Sequence, residues 1–186
     1  MTLRTEIKVS ADDYRTLPET GPRYQLVHGD LIRMSPAPSP LHQALVGKLF
    51  MKLCQHATEH QLGRVFVAPV DVFLSDFDVL QPDVLFLSRG SEDKVARDGI
   101  HGAPDLVVEV LSVSTRKLDL GVKKTLYARY GVVEAWYVDP DIEQVHVYDL
   151  EKDVEKPAAI LARQDQLEST LLPGLTISLE KLFRVV

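Results

Sequence analysis

The sequence predicts an α/β (α+β) fold: a mixed β-sheet flanked by helices. Three observations predict it. Leu106-Val-Val-Glu-Val-Leu111 is a near-continuous apolar run, as expected of a strand buried on both faces. Leu45, Leu49 and Leu53 recur every fourth position, which marks a long amphipathic helix over 41–61. A second helical pattern, 115–130, follows the apolar strand directly, the order expected of a sheet covered by helices.

The remaining elements follow in order. Ser10-Ala-Asp-Asp13 is a polar cap followed by acids, the start of a short helix that ends before Pro18. Residues 24–27 and 31–34 are two strands around a His28-Gly29-Asp30 turn. Ser35-Pro-Ala-Pro-Ser-Pro40 is a stiff loop, and Gly63 is read as the end of the long helix. Residues 64–74 are strand-like, with Pro69 at an edge or bulge. Val84 to Leu87 is a short apolar strand. Ser114 is read as the cap of the second helix and Gly131 as its terminator. Residues 132–138 and 144–148 form a hairpin, 149–156 a solvated loop, and the chain closes with a strand near Leu175 and a helix over 179–183. No repeat or linker divides the chain, so 1–186 is read as one domain in which 1–22 is an N-terminal extension carrying the short helix.

Composition narrows the function. Apolar residues at 45% supply a substantial core, and the single cysteine, Cys54, excludes an internal disulfide and a cysteine metal cluster. Cys54 is expected to be buried. No apolar run approaches the ~20 residues that span a bilayer. The N-terminal stretch lacks a signal-peptide core, which makes a cytoplasmic location the default. The net charge of −6 opposes a large nucleic-acid footprint. Against this, Arg116, Lys117, Lys123, Lys124 and Arg129 cluster with only Asp119 as an acid among them, and a metal site itself needs carboxylates.

Glu109 is the most informative residue. A carboxylate inside a buried strand is costly unless it is paired or ligates a metal. A buried salt bridge and a metal site are both open on this ground. Asp105 lies on the same strand face, but four residues of strand separate the two Cα atoms by about 13 Å. Asp83 opens a different strand, and neighbouring strands lie only about 4.8 Å apart, so Asp83 is the better partner. Asp105, after Pro104, is expected to serve the entry to its strand. On the following helix, with about 100° per residue from Leu118, Lys123 falls at about 140° and Asp119 at about 100°. Both lie within the arc of Val122, Leu126, Tyr130 and Tyr127, whereas Lys124 falls near 240°. Lys123 is thus expected to point inward, with a simple Asp119–Lys123 pair as the alternative.

Several motifs in one order carry a family resemblance. Ser35-Pro-Ala-Pro-Ser-Pro-Leu-His42, Gln81-Pro-Asp83, Ala103-Pro-Asp-Leu-Val-Val-Glu-Val-Leu-Ser-Val-Ser-Thr115, Lys123 with Tyr127, Gly131-Val, Trp136-Tyr-Val-Asp-Pro140 and Leu172-Pro-Gly-Leu175 resemble the bacterial Uma-two family of restriction endonucleases, within the PD-(D/E)XK nuclease superfamily. The resemblance spans residues 24–183. It implies a restriction-endonuclease-like core and an endodeoxyribonuclease dependent on Mg²⁺, with Mn²⁺ able to substitute. It assigns Asp83 and Glu109 to the metal-binding carboxylates and Lys123 to the catalytic lysine. The usual superfamily lysine position, two residues after the second acid, is Leu111 here. Relatives carry glutamate after the tyrosine corresponding to Tyr24, where this chain has the neutral Gln25. Asp30 and Asp71 are candidates to compensate, and Gln25, Asp30, His42 and Asp105 are possible auxiliary residues.

The chemistry agrees with the residues. Hard Mg²⁺ takes one or two carboxylates plus waters and substrate phosphate, and it neutralises charge and activates water in phosphodiester hydrolysis. The first alternative is a nuclease fold that binds or regulates without cutting. His56 and His60 are four apart on a helix but lack the His-Glu-x-x-His order of a zinc protease. No glycines of a nucleophile elbow surround Ser112 or Ser114. Trp136 and Tyr137 are expected in the core or at a dimer contact, and the aromatic hairpin suggests a possible homodimer, which would suit cutting both strands of DNA.

Overall fold

The computed structural model describes residues 8–18, 20–34 and 37–184. The first residues of the N-terminal stretch and the start of the 35–40 loop, both read above from sequence, lie outside them. In chain order the elements are α1 (Ala11–Arg15), β1 (Tyr24–Val27), β2 (Asp30–Arg33), α2 (Pro40–Glu59), β3 (Gly63–Val67), β4 (Val72–Ser75), β5 (Asp78–Leu80), β6 (Val84–Ser88), β7 (Ile100–His101) and β8 (Leu106–Val110). Then come α3 (Arg116–Leu118), a π turn (Asp119–Lys123), α4 (Lys124–Tyr130), β9 (Glu134–Asp139), β10 (Gln144–Asp149), β11 (Ala159–Ala162), β12 (Gln166–Glu168), β13 (Thr176–Ser178) and α5 (Leu179–Phe183).

Six strands in the order β11-β10-β9-β8-β6-β3 form the main sheet. It is mixed: β8 and β9 run parallel, while β6 is antiparallel to both β8 and β3. Strand alternation sends Val84, Phe86, Val108 and Trp136 to one face, where α2 packs through Leu45, Leu49 and Leu53, joined by α5. The other face carries Leu85, Val107, Leu111 and Tyr137. It is covered by Leu126 and Tyr127 of α4 and by a second sheet ordered β2-β1-β5-β4-β7. All five residues of β8 are therefore buried, as its apolar run predicts.

Local chemistry sets the ends of the elements. Ser10 and Asp13 form a reciprocal capping box on α1. On α2, Ser39 accepts from the His42 amide and Pro40 opens the first turn, where its missing N–H costs nothing. Gly131 takes the left-handed conformation that closes α4.

Several sequence expectations are corrected or resolved. Gly63 does not end α2, whose chain reversal falls on Gln61 at φ 53°. Gly63 opens β3, where a Cβ atom would lie 2.0 Å from the Leu87 carbonyl oxygen, so close strand approach requires glycine. The 64–74 stretch is two strands in different sheets, β3 and β4. Ser114 is not the cap of the second helix. Thr115 holds that position, and its amide bonds to Ser112 Oγ at 3.3 Å. Trp136 and Tyr137 are fully buried and Tyr148 nearly so, which bears out the core reading of the first two and removes the ground given for a dimer contact. Cys54 is half-buried rather than buried.

Candidate active site

Two strands that end side by side create the site. β6 begins at Val84, which pairs with Val108 of β8, and Leu85 pairs with Val107. Extending this antiparallel register by one step sets Asp83 opposite Glu109, so both side chains stand on the face shared with Leu85 and Val107. Asp83 also extends the ladder with its side chain. Its Oδ2 accepts the Val110 amide at 2.8 Å, in the place where a backbone carbonyl of a longer β6 would sit.

The helix after β8 delivers the countercharge. Lys123 Nζ lies 2.5 Å from Glu109 Oε1 and 2.9 Å from Asp119 Oδ1, with all three side chains 5% exposed or less. Tyr127 donates its hydroxyl to the same Glu109 Oε1 at 2.6 Å. Asp119 and Lys123 begin and end the π turn. The wider turn breaks the 100° spacing used on the sequence, and the consequences are visible on either side of it. Val122, expected inside the arc, is 40% exposed. Lys124, expected outside it, is buried, with its ammonium 4.6 Å from the centre of the Tyr148 ring.

His42, on the first turn of α2, brings Nε2 within 3.3 Å of Asp83 Oδ2. The structure thus joins Asp83, Glu109, Lys123 and His42 in one cluster and adds Asp119 and Tyr127. Asp119 had a detectable signal, an acid four residues before Lys123 on the inward arc; Tyr127 had the same arc.

The other auxiliary residues go elsewhere. Asp105 accepts the Ser88 amide at 2.7 Å and the Ser91 hydroxyl, the strand-entry role expected from Pro104-Asp105. Asp30 pairs with Lys8 on the exposed end of β2. Gln25 does not face the cluster, since its side-chain oxygen accepts the Gln81 amide at 3.1 Å. Gln81 in turn donates to Asp71 at 2.7 Å. Gln25 and Asp71 therefore steady the Gln81-Pro82-Asp83 segment from behind.

Burial and the close approach of like charges set the electrostatics of the cluster. Of its three carboxylates, Glu109 and Asp119 meet Lys123, and Asp83 meets His42. Burial pushes the Glu109 carboxyl up, Lys123 opposes this, and Asp119 and Asp83 reinforce it, leaving the group at about 8. Burial lowers the affinity of Lys123 for its proton, but Glu109 and Asp119 outweigh burial and hold the ammonium charged. Burial likewise opposes protonation of His42, and Asp83 overcomes it. In metal-free protein the sign is definite. Glu109 binds its proton more tightly folded than unfolded, where it titrates near 4.5, so it costs stability as pH rises from about 5 to about 8. Glu109→Gln keeps the acceptor for Tyr127 and Lys123. Urea titrations at successive pH values are expected to show the variant gaining on wild type across that window. The steepest difference is about 1.4 kcal/mol per pH unit, and a pH-independent difference would refute the shift.

Among the described residues no three side chains of histidine, cysteine, aspartate or glutamate converge on a ready-made metal cage. The donor set suits a hard, largely hydrated cation instead. The hydrogen bonds described for the two strand carboxylates fall on Oδ2 of Asp83 and Oε1 of Glu109, which leaves Oδ1 and Oε2 as oxygen ligands. Mg²⁺ needs only one or two carboxylates and keeps its waters, whereas a structural zinc site demands four tetrahedral ligands.

A profile of the Uma2 family, described as "Putative restriction endonuclease", matches residues 11–180. The chain belongs to the Uma2 family. A crystal structure of "a putative nuclease belonging to DUF820" from Anabaena variabilis has the same fold as this Uma2 chain. The TM-score is 0.79 at 20% identity, over 94% of this chain and 97% of that one. No curated protein matches the Uma2 chain. Family membership supports a nuclease. Among the described residues no helix is long and apolar enough to cross a membrane.

Proposed function

We propose that this Uma2 chain is a metal-dependent endonuclease that hydrolyses phosphodiester bonds in DNA. The observation that carries the proposal is the closeness of Asp83 and Glu109 on adjacent strands: Asp83 accepts the amide of Val110, the residue after Glu109, and its charge helps to push the buried Glu109 carboxyl up. Two neighbouring carboxylates, one of them disfavoured as an anion by burial, are stabilised as anions by a bound cation. Asp83 and Glu109 would hold Mg²⁺, with Mn²⁺ as a substitute. When bound, the ion neutralises charge developing on the phosphate and acidifies water. Lys123 would orient the attacking water and stabilise negative charge on the phosphoryl oxygens. Asp119 keeps Lys123 charged and anchored when Glu109 serves the ion. His42 holds Asp83 in place. Tyr127 fixes the direction of Glu109 by occupying Oε1.

One observation favours the alternative, a nuclease fold that binds nucleic acid without cutting it. Lys123 and Tyr127 both close on Glu109 Oε1, so the carboxylate is already satisfied on one side. Two assays on the purified chain separate the proposals. Calorimetry with Mn²⁺ is expected to show binding, and supercoiled plasmid is expected to be nicked with Mg²⁺ and left intact with chelator. Binding of Mn²⁺ without nicking favours the non-cutting module. Absence of both Mn²⁺ binding and Mg²⁺-dependent nicking overturns the metal site.

A further inference from the structure

Tyr137 carries a polar group that the site described above does not use. It lies on β9, paired with Glu109 in the parallel register of β8 and β9, so the two side chains share one face of the sheet. The residue is 0% exposed, and among the described residues its hydroxyl has no hydrogen-bond partner. An unsatisfied buried hydroxyl is costly, and removing it alone would be free or favourable if it truly bonded nothing. Phenylalanine would fill the same apolar layer against Leu85, Val107 and Ala135 without that cost. The ring is held edge-on to Tyr148, with the ring centres 5.5 Å apart. The charges of Glu109 and Asp119 both act on it: burial, then these two carboxylates, hold its proton far more firmly than in an ordinary tyrosine. Tyr127 already takes Glu109 Oε1, so the side of Glu109 still open to a further donor is Oε2.

We propose that Tyr137 is a positioning residue whose hydroxyl, through one ordered water, donates to Oε2 of Glu109 and sets the direction of the oxygen that faces the ion. This rests on the assignment of Glu109 as a metal-binding carboxylate. The two tyrosines then divide the carboxylate between them. Tyr127 grips Oε1 directly, and Tyr137 aims Oε2 at a distance that leaves room for a ligand. A buried water with two or more polar partners is an ordinary component of such networks.

The test begins in metal-free protein. Tyr137→Phe removes the hydroxyl and keeps the ring. The ¹³Cδ resonance of Glu109, assigned by its loss in Glu109→Gln, is compared between wild type and Tyr137→Phe at one pH. A displaced resonance is expected, with the unfolding equilibrium constant raised about five-fold. An unmoved resonance overturns the inference, and so does a variant at least as stable as wild type. Mn²⁺ calorimetry then reads the positioning role directly: Tyr137→Phe is expected to bind about ten-fold more weakly. Equal Mn²⁺ affinity in both proteins overturns that role. A wild type that binds no Mn²⁺ defeats the metal proposal above, and the carboxyl resonance then decides the Tyr137 contact alone.

Discussion

Asp83→Asn is expected to lower Mg²⁺-dependent plasmid nicking by about 10²–10³-fold while leaving the fold intact. The magnitude follows from the several kcal/mol that a bound ion contributes to a phosphoryl transition state, at about 1.4 kcal/mol per factor of ten. The substitution is chosen for what it preserves. Asparagine keeps an oxygen that accepts the Val110 amide, so the end of β6 stays anchored to β8. It removes the negative charge that would face the ion and that raises the proton affinity of His42. Nicking rate under single-turnover conditions and the urea midpoint are the two readouts. An active Asp83→Asn enzyme would sink the metal assignment of this residue. A collapsed midpoint would show that the charge, and not just the acceptor, holds the strand.

Lys123→Met is expected to destabilise the protein by about 3–5 kcal/mol at pH 8, the usual result of removing one partner from a buried ionic group. Methionine preserves the length and bulk of the side chain, so the loss is electrostatic and not a cavity effect. Glu109 and Asp119 are both buried, and Lys123 bridges them. Without the ammonium one of the two must take up a proton or remain an uncompensated charge. Glu109, already pushed up to about 8, is the readier acceptor. The penalty therefore shrinks as pH falls toward 5, because protonation relieves it. Urea denaturation at pH 5 and pH 8 measures both the size and the trend. A loss below about 1 kcal/mol at pH 8 would mean that the triad is not the buried ionic unit described here.

How much of this was visible beforehand depended on the kind of signal. Glu109 was legible because an apolar strand buried on both faces makes a carboxylate conspicuous, and Asp83 because only an adjacent strand could come close enough. The exact pairing was not legible: the register is set by long-range contacts, such as Val84 with Val108, that no local pattern encodes. Lys123 was found by helix phase, yet the phase was only partly right. A π turn has no simple periodic signature, so the buried Lys124 and the exposed Val122 both escaped. The second sheet escaped for a different reason. β5 has three residues and β7 has two, too short for alternation to register. Trp136 and Tyr137 were open between core and dimer contact because strand alternation normally leaves one face wet. β9 lies inside a sheet covered on both faces, and tertiary packing overrides the pattern. Gln25 was placed beside the acids by resemblance alone, and its bond to the Gln81 amide turns it from a neighbour of the site into a brace behind it.

The side chain of Asp83 occupies a position in the β8 ladder that backbone would otherwise fill. Sheet and site consequently share a bond. A fluctuation that frees the carboxylate also releases the Val110 amide from the central strand, so opening of the site and fraying of the sheet are one event. The protected core lends its own lifetime to the carboxylate, and Val110 is the amide at which hydrogen exchange reports that lifetime.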